Sequence, residues 1–305
     1  MNASCFVEGD LTDFGSSSFI SEGRIGEISA DRTAVIGHRG WCFIYDGSNN
    51  YRDAYTCEAV VGTGTRWFSL IESRQGVVQS LGASFLQVIV PNKATILSHL
   101  YPEKLGDGIT KTLKTLLSAK SHVSLLCPVE ELRDPSYAEL VFRRNDSHLT
   151  IAGNCYFVAA ILNALKLSVE ISTQVHTVET EHVGDLGSKF ATPVSERLQA
   201  PCFDDGLLSQ AGLIKRREIS VAGLNGIQQC FLNESAPLKQ SVLVFGNSFF
   251  ERIPSWGLSP FFAALFREYT FIWSPALDVE EIRRRRPDIV ICQTCERFLS
   301  TVPEE

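Results

Sequence analysis

Short apolar segments that alternate with helical patterns constrain the fold of this chain more than any other feature of its sequence. The apolar segments lie at residues 85–90, 123–126, 241–245, 269–273 and 288–292, and helical spacing of apolar residues lies at 66–81, 111–119, 150–165, 256–267 and 279–284. Strands that alternate with helices form βαβ units, so the pattern predicts a mainly parallel sheet covered by helices on both faces. Functional side chains in such folds gather at the carboxyl ends of the strands.

Two stretches depart from this alternation. Residues 1–32 are rich in Ser, Gly and Asp, and we expect them to form an irregular N-terminal lead-in. Residues 33–305 would form one large domain that opens with a β-hairpin, made by strands at 34–37 and 41–45. Within that domain, the less regular region at about 168–233 is interpreted as an insertion that shapes a pocket or a partner surface.

Charge and composition exclude several classes of protein. A net charge of −7 disfavours a nucleic-acid partner, which needs a basic surface. The apolar runs are shorter than the roughly 20 residues that cross a bilayer, so no transmembrane segment is expected. The first residues lack the basic and apolar parts of a signal peptide, and the nine scattered cysteines favour a reducing compartment. We therefore expect a cytoplasmic protein, or a periplasmic one if an export segment is missing from this sequence.

A serine stands directly after the apolar strand at 241–245, in the sequence Gly246-Asn247-Ser248. A small residue there lets the chain bend sharply, which would leave the serine hydroxyl at the edge of the sheet beside backbone N–H groups. Acyl transfer requires a nucleophile with such donors, because negative charge develops on the carbonyl oxygen. The alternative is an ordinary strand-to-helix turn in which Ser248 is the N-cap.

A second polar segment, with Asp146 and His148, precedes the long apolar helix pattern at 150–165. In an extended stretch, residues two apart project to the same side. The aspartate could then orient the imidazole and stabilise its positive charge during proton transfer. Alternatively, Asp146 caps the following helix and His148 is a surface residue.

Together the two segments resemble a known family. Asp146-Ser-His-Leu-Thr-Ile-Ala-Gly153 resembles the D-x-H-W-[ST]-x-x-G box of the alginate O-acetylation proteins and their SGNH-hydrolase-like relatives, with Leu149 where the family has Trp. Gly246-Asn-Ser-Phe249 is similar to the family's G-[DNT]-S-[FY] turn. Further similarities stand in the family's order at 37–43, 88–93, 184–189, 286–290 and 296–299, so that the resemblance covers roughly residues 34 to 300.

The resemblance implies an SGNH-like three-layer α/β/α sandwich, with residues 33–305 as the catalytic domain. It assigns Ser248 as the nucleophile, His148 as the general base and then acid, and Asp146 as the partner of the histidine.

Three further residues are weaker candidates for the oxyanion hole or for substrate binding: Gly246, Asn247 and Arg297. For Asn247 the alternative role is that of a turn former, and for Arg297 that of a structural salt-bridge residue.

The resemblance also implies an activity, which is O-acetyl transfer to carbohydrate hydroxyls through an acyl-serine intermediate. The partners would be a carbohydrate acceptor, an acyl donor and a membrane-bound protein that supplies the acyl group. An acetylesterase with the same triad is one alternative, and a catalytically silent SGNH-like binding module in a polysaccharide biosynthesis complex is another.

No cofactor and no metal site is expected. His176 and His182 flank Glu179 and Glu181, but their spacing matches no compact metal site, and we interpret this stretch as a solvated loop.

Overall fold

The computed structural model of the chain describes residues 24–47, 50–57, 61–119, 123–169, 176–202, 214–219, 223–250 and 257–305. Its strands are β1 (Ala34–Ile36), β2 (Cys42–Ile44), β3 (Ser84–Val90), β4 (Leu125–Leu126), β5 (His176–Val183), β6 (Ser195–Cys202), β7 (Ile214–Ile219), β8 (Gln228–Leu232), β9 (Leu238–Gly246), β10 (Phe266–Trp273) and β11 (Ile289–Cys295). Its α-helices are α1 (Asp53–Thr56), α2 (Val61–Ser80), α3 (Lys93–Ile96), α4 (Lys111–Ala119), α5 (Val129–Leu132), α6 (Ala138–Val141), α7 (Ile151–Ala164), α8 (Ser259–Leu265) and α9 (Val279–Arg285). In the described ranges, every helix is too short or too polar to cross a membrane.

A seven-stranded sheet in the order β4-β3-β11-β9-β10-β8-β7 forms the centre of the molecule. Its first five strands are parallel; β8 pairs antiparallel with β10, and β7 pairs antiparallel with β8. Strand β11 is buried along almost its whole length, as are most of β3 and the second half of β9, because helices cover both faces of the sheet. The predicted mainly parallel sheet is confirmed.

Helices form a layer on each side of this sheet. Helix α2 packs against β3, α4 and α9, while α8 packs against β10. The crossover from β9 through α8 to β10 runs across the sheet in one direction. The crossovers from β3 through α4 to β4 and from β10 through α9 to β11 run in the opposite direction. Right-handed connections therefore place α8 on the face opposite α4 and α9. This is the predicted three-layer α/β/α sandwich.

Tertiary contacts decide where several elements begin and end. Helix α2 starts at Val61, five residues before the predicted start at residue 66. Its first turn contains Gly62, Thr63 and Gly64, which carry no apolar signal. Gly64 is needed there because a Cβ would lie 2.6 Å from the side chain of Thr115 on α4. The strand predicted at 123–126 is reduced to β4, and β10 begins directly after α8, inside the predicted helix at 256–267.

The hairpin predicted near the start of the chain is confirmed, since β1 and β2 pair antiparallel. Residues 24–32, which belong to the predicted lead-in, run beside it: Gly26 N donates to Ile36 O at 2.8 Å, and Ile36 N donates to Glu27 O at 3.0 Å. The rest of the lead-in, residues 1–23, lies outside the described residues.

The region at 168–233 contains four strands in its described parts. Strands β5 and β6 form a separate antiparallel ribbon in which His176 faces Cys202 and Val183 faces Ser195. Strands β7 and β8 extend the central sheet. The division of the chain into a lead-in, a catalytic domain and an insertion stays a prediction.

Candidate active site

Two of the candidate residues, Ser248 and Arg297, follow strands that end at the carboxyl edge of the parallel sheet. Strand β9 ends at Gly246, directly before Asn247 and Ser248. Strand β3 ends at Val90, three residues before Lys93, and β11 ends at Cys295, two residues before Arg297. The topology therefore brings three distant stretches of chain to one edge of the sheet.

The turn after β9 is organised by Asn247. Its backbone N–H donates to Gln293 Oε1 at 3.0 Å, its Oδ1 accepts from Phe249 N at 3.2 Å, and its carbonyl accepts from Phe250 N at 3.0 Å. A Cβ at Gly246 would lie 2.9 Å from Gln293 Oε1, so a residue without a side chain suits that position. The capping oxygen of the turn belongs to Asn247, and Ser248 is left half-buried at the edge.

Asp146 and His148 lie on a tight loop that closes before α7. Phe142 and Leu149 form an antiparallel bridge at the base of this loop, and Arg143 N donates to His148 O at 3.1 Å. The N-cap of α7 is Thr150, whose Oγ1 accepts from Gly153 N at 3.0 Å. The alternative role of Asp146 as the cap of this helix is therefore wrong.

The two side chains form a hydrogen-bonded pair. Asp146 Oδ1 lies 2.7 Å from His148 Nδ1 and also accepts from the His148 backbone N at 2.8 Å. An ionised carboxylate only accepts hydrogen bonds, so Nδ1 carries the proton and the neutral ring keeps a lone pair on Nε2. That Nε2 is buried and has no hydrogen-bond partner in the described part of the chain.

A ring contact links this pair to the serine turn. The imidazole of His148 lies with its centroid 5.3 Å from that of Phe249, the residue after Ser248. The two predicted segments, about 100 residues apart in sequence, are therefore neighbours in space.

The second oxygen of Asp146 has partners that sequence reasoning missed. Asp146 Oδ2 lies 3.1 Å from His182 Nε2 on β5, 3.3 Å from the Asp185 backbone N, and 3.5 Å from Arg143 Nη1. The interpretation of this stretch as a solvated loop is wrong for His182. The available signal was its position, two residues before the family similarity at 184–189.

These contacts decide the charge of Asp146. Burial by itself raises the pKa of its carboxyl, but hydrogen bonds from His148 and His182, together with the positive charge of Arg143, outweigh burial and hold that pKa well below its ordinary value. Asp146 therefore stays ionised at neutral pH and can stabilise a positively charged imidazole.

A buried lysine fixes the backbone of the same loop. Lys93 Nζ donates to the carbonyls of Arg143, Arg144 and Asp146 at 3.0, 3.1 and 2.7 Å. The Trp41 and Phe43 rings lie 5.6 and 5.4 Å from this ammonium group. Burial lowers the pKa of Lys93 to about 8.

Glu196 on β6 holds the loop from another side. Its two carboxylate oxygens accept from Arg144 N at 2.9 Å and from Asn145 N at 3.0 Å. Both the lysine and the glutamate were outside the predicted site, because a charged residue read from sequence is normally placed in solvent.

Asp185 adds a third side chain that could bind a metal ion, since one potential ligand atom each of Asp146, His148 and Asp185 lies within 4.8 Å of the others. The Asp185 carboxylate accepts from Ser147 N at 2.6 Å and from Ser147 Oγ at 2.5 Å. The carboxylates of this group already accept hydrogen bonds from the protein, so the arrangement is satisfied without a cation.

Arg297 lies near the serine turn, with its guanidinium carbon 5.6 Å from the Phe249 ring and 5.0 Å from the Phe298 ring. The preceding Glu296 is buried and accepts from Asn92 N at 2.7 Å and Thr110 N at 3.0 Å. Burial raises the pKa of Glu296, and its two backbone hydrogen bonds anchor the segment that carries Arg297.

Comparisons with known proteins find likeness in structure only. No family model matches the sequence. No curated protein matches it either. The structure of PatB1 from Bacillus cereus superposes with a TM-score of 0.64 at 14% identity, covering 88% of this chain and 97% of that one. The O-acetyltransferase domain of AlgJ from Pseudomonas putida gives 0.58 at 15%, covering 89% and 94%. A DHHW family protein from Eubacterium siraeum gives 0.55 at 14%, covering 89% and 92%. At such identities the likeness is one of fold: this chain has the SGNH-like α/β/α fold of PatB1 and of the AlgJ O-acetyltransferase domain.

Proposed function

We propose that this protein is a serine O-acyltransferase that moves an acetyl group to a carbohydrate hydroxyl through an acyl-Ser248 intermediate. The observation that carries the proposal is the Asp146–His148 pair: its Nε2 accepts no hydrogen bond from the described residues, and its ring contacts Phe249, next to Ser248. The fold shared with the AlgJ O-acetyltransferase domain supports the same class of reaction.

In the first half-reaction, His148 Nε2 takes the proton of Ser248 as Oγ attacks the carbonyl carbon of the acyl donor. The tetrahedral intermediate collapses, the bond to the leaving oxygen breaks, and the imidazolium returns its proton to that oxygen. Asp146 remains ionised throughout and stabilises the imidazolium.

In the second half-reaction, Nε2 removes the proton from a sugar hydroxyl, whose oxygen attacks the acyl-serine. Ser248 leaves and takes the proton back from His148. The same residues act in both directions, so the choice between sugar and water depends on which acceptor the site holds beside the acyl-serine.

The turn narrows the candidates for the oxyanion hole. The backbone N–H of Asn247 is already committed to Gln293 Oε1, and that of Phe249 to Asn247 Oδ1. In the described part of this turn, the remaining donors are the Ser248 N–H and the side-chain amide of Asn247, which makes a long contact of 3.9 Å to Cys295 Sγ. We assign the oxyanion role to these two groups, and Arg297 to positioning the substrate.

Two measurements test the proposal. A sulfonyl fluoride should label a peptide that contains Ser248 in the wild type and leave the Ser248→Ala variant unlabelled. PatB1 has been solved with a sulfonyl adduct, so the chemistry of the probe suits this fold. With an activated acetyl ester and a mixture of glycans, mass spectrometry should then find acetylated glycan with the wild type only.

The outcomes separate the alternatives. Acetate without acetylated glycan would make the protein an esterase. Equal turnover by wild type and Ser248→Ala, or labelling at another residue only, would leave a silent binding module. The acyl group is expected to come from a separate membrane-bound protein, as the resemblance implies.

A further inference from the structure

A cleft of about 330 Å³ begins at Gly246 and Asn247, directly before the proposed nucleophile, and most of its lining residues have no role in the chemistry above. It lies between the end of β9, the start of α2, and the segment that follows β11. Its volume is at the lower end of the roughly 300–1,000 Å³ that is typical of small-ligand sites. The cleft is therefore large enough for a small ligand unit beside Ser248, and too small for several.

The lining combines aromatic rings with neutral polar groups. Trp273 and Phe298 contribute rings that reach the surface, whereas Trp67 is 2% exposed and forms the floor of the cleft. Most of the remaining lining residues carry amides or hydroxyls, among them Gln293 and Ser300. In the described part of the chain, none of the lining residues is charged. Rings that lie among hydroxyls and amides offer both a stacking surface and hydrogen bonds.

Gln293 adds an observation that points to a ligand. Its side chain is 3% exposed, and its Oε1 accepts from Asn247 N. A backbone N–H can only donate, so this bond fixes which end of the amide is oxygen. The Nε2 is then left buried, and without a hydrogen-bond partner among the described residues. A buried donor of this kind favours an occupant that brings an acceptor oxygen.

We propose that this cleft binds one uncharged sugar unit of the acceptor, which rests on the proposed transfer to carbohydrate. An acyl chain would strip water from the amides and hydroxyls without replacing their hydrogen bonds. A uronate carboxylate would enter a site that has no lysine or arginine among its described lining residues. A neutral sugar avoids both costs: its hydroxyls form hydrogen bonds with the amides and hydroxyls of the lining, and it brings no charge into the cleft. Its C–H faces can also stack on the rings.

The test measures binding without turnover, in the Ser248→Ala background. Isothermal titration compares tetramers of glucose, galactose and mannose with the tetramers of the corresponding uronates. At least one neutral tetramer should bind about tenfold or more tightly than its uronate. Ser300→Trp, which fills the cleft from an exposed position, and Phe298→Ala, which removes a ring, should each weaken that binding by about tenfold.

The matched control is Asn163→Trp, an exposed position in a separate cleft lined by Tyr156 and Glu131, which should leave binding unchanged. The inference is overturned if no neutral tetramer binds better than its uronate, or if Ser300→Trp and Asn163→Trp behave alike. Labelling of Ser248 in the wild type is measured separately. If Ser248 is labelled but no tetramer binds, only the sugar-binding role of the cleft is refuted. If a tetramer binds but Ser248 is not labelled, only the proposed transferase activity is refuted.

Discussion

Replacing Asp146 by Asn isolates the part of the site on which the proposed chemistry depends most. The carboxylate accepts on both oxygens: Oδ1 from the backbone N and Nδ1 of His148, Oδ2 from His182 and the Asp185 backbone N. An amide has one oxygen and one NH₂ group, so it cannot satisfy both sides. If its oxygen faces His148, its NH₂ faces the N–H of Asp185 and the guanidinium of Arg143.

The opposite orientation is worse for catalysis. The NH₂ would face the backbone N–H of His148 and donate to Nδ1, which forces the ring proton onto Nε2, the nitrogen that must accept the serine proton. An imidazole held in the wrong tautomer costs on the order of 10⁴ in turnover where this pairing operates. We expect kcat for an activated acetyl ester to fall by about 10³ or more, which corresponds to about 4 kcal/mol of transition-state stabilisation.

Asp185→Asn is the matched control. Asp185 lies 3.7 Å from the same imidazole but is 44% exposed, and an amide can still accept from Ser147 N and donate to Ser147 Oγ. An exposed pair of this kind is worth about 1 kcal/mol or less, so turnover should change by about fivefold or less. The reasoning is refuted if Asp146→Asn costs less than about tenfold while circular dichroism shows a folded protein, or if both variants lose the same activity.

Three further predictions follow from the contacts around this loop. His182→Ala removes a hydrogen bond to the ionised Asp146 and should lower kcat for an activated acetyl ester by about tenfold, and His182→Gln, which can still donate, should restore most of it in steady-state kinetics. Lys93 has a pKa of about 8 in the folded protein and 10.5 in the unfolded chain, so between these pH values the unfolded chain binds more protons and stability rises with pH. The free energy of unfolding of the wild type, relative to that of Lys93→Met, should therefore rise by about 3 kcal/mol from pH 8 to 10.5. A difference that does not change with pH would contradict the burial argument. Gly184→Ala places a Cβ 2.4 Å from Asn145 O and should lower both the activity and the free energy of unfolding, the latter by about 1–3 kcal/mol. The control is Gly76→Ala on α2, where a Cβ meets open space; thermal denaturation should show it to be neutral or slightly stabilising.

The strands that were predicted best are those whose burial comes from both faces of the sheet. Strands β3, β9 and β11 carry apolar residues at consecutive positions, which is a local signal that needs no knowledge of the partner strands. The antiparallel addition of β8 to β10 was not predicted, because a strand added at one edge is specified by contacts with a distant part of the chain.

The residues of the candidate site were also predicted or missed according to how close their partners lie in the sequence. The Asp146–His148 pair was predicted from the resemblance to the family's D-x-H box, because the two-residue spacing by itself also allowed Asp146 to cap the helix and His148 to lie at the surface. His182 was missed because its partner Asp146 lies 36 residues away, so no local spacing in the sequence connects the two residues. Lys93 was missed as a member of the site because its burial depends on three carbonyl acceptors that only the folded loop provides.

The one departure from the resembled motif has a structural consequence. Leu149 stands where the motif has Trp, and it is 1% exposed, at the bridge with Phe142 that closes the loop. Position 149 therefore contributes to the core in this chain and offers no surface on which a sugar could stack. If the protein acts on carbohydrate, another part of the edge must supply aromatic rings, and the cleft beside Asn247 is where Trp273 and Phe298 come together. Restoring the motif with Leu149→Trp would overfill the core and would not replace those rings, so the stacking surface of this chain is tied to the segments after β10 and β11 rather than to the histidine loop.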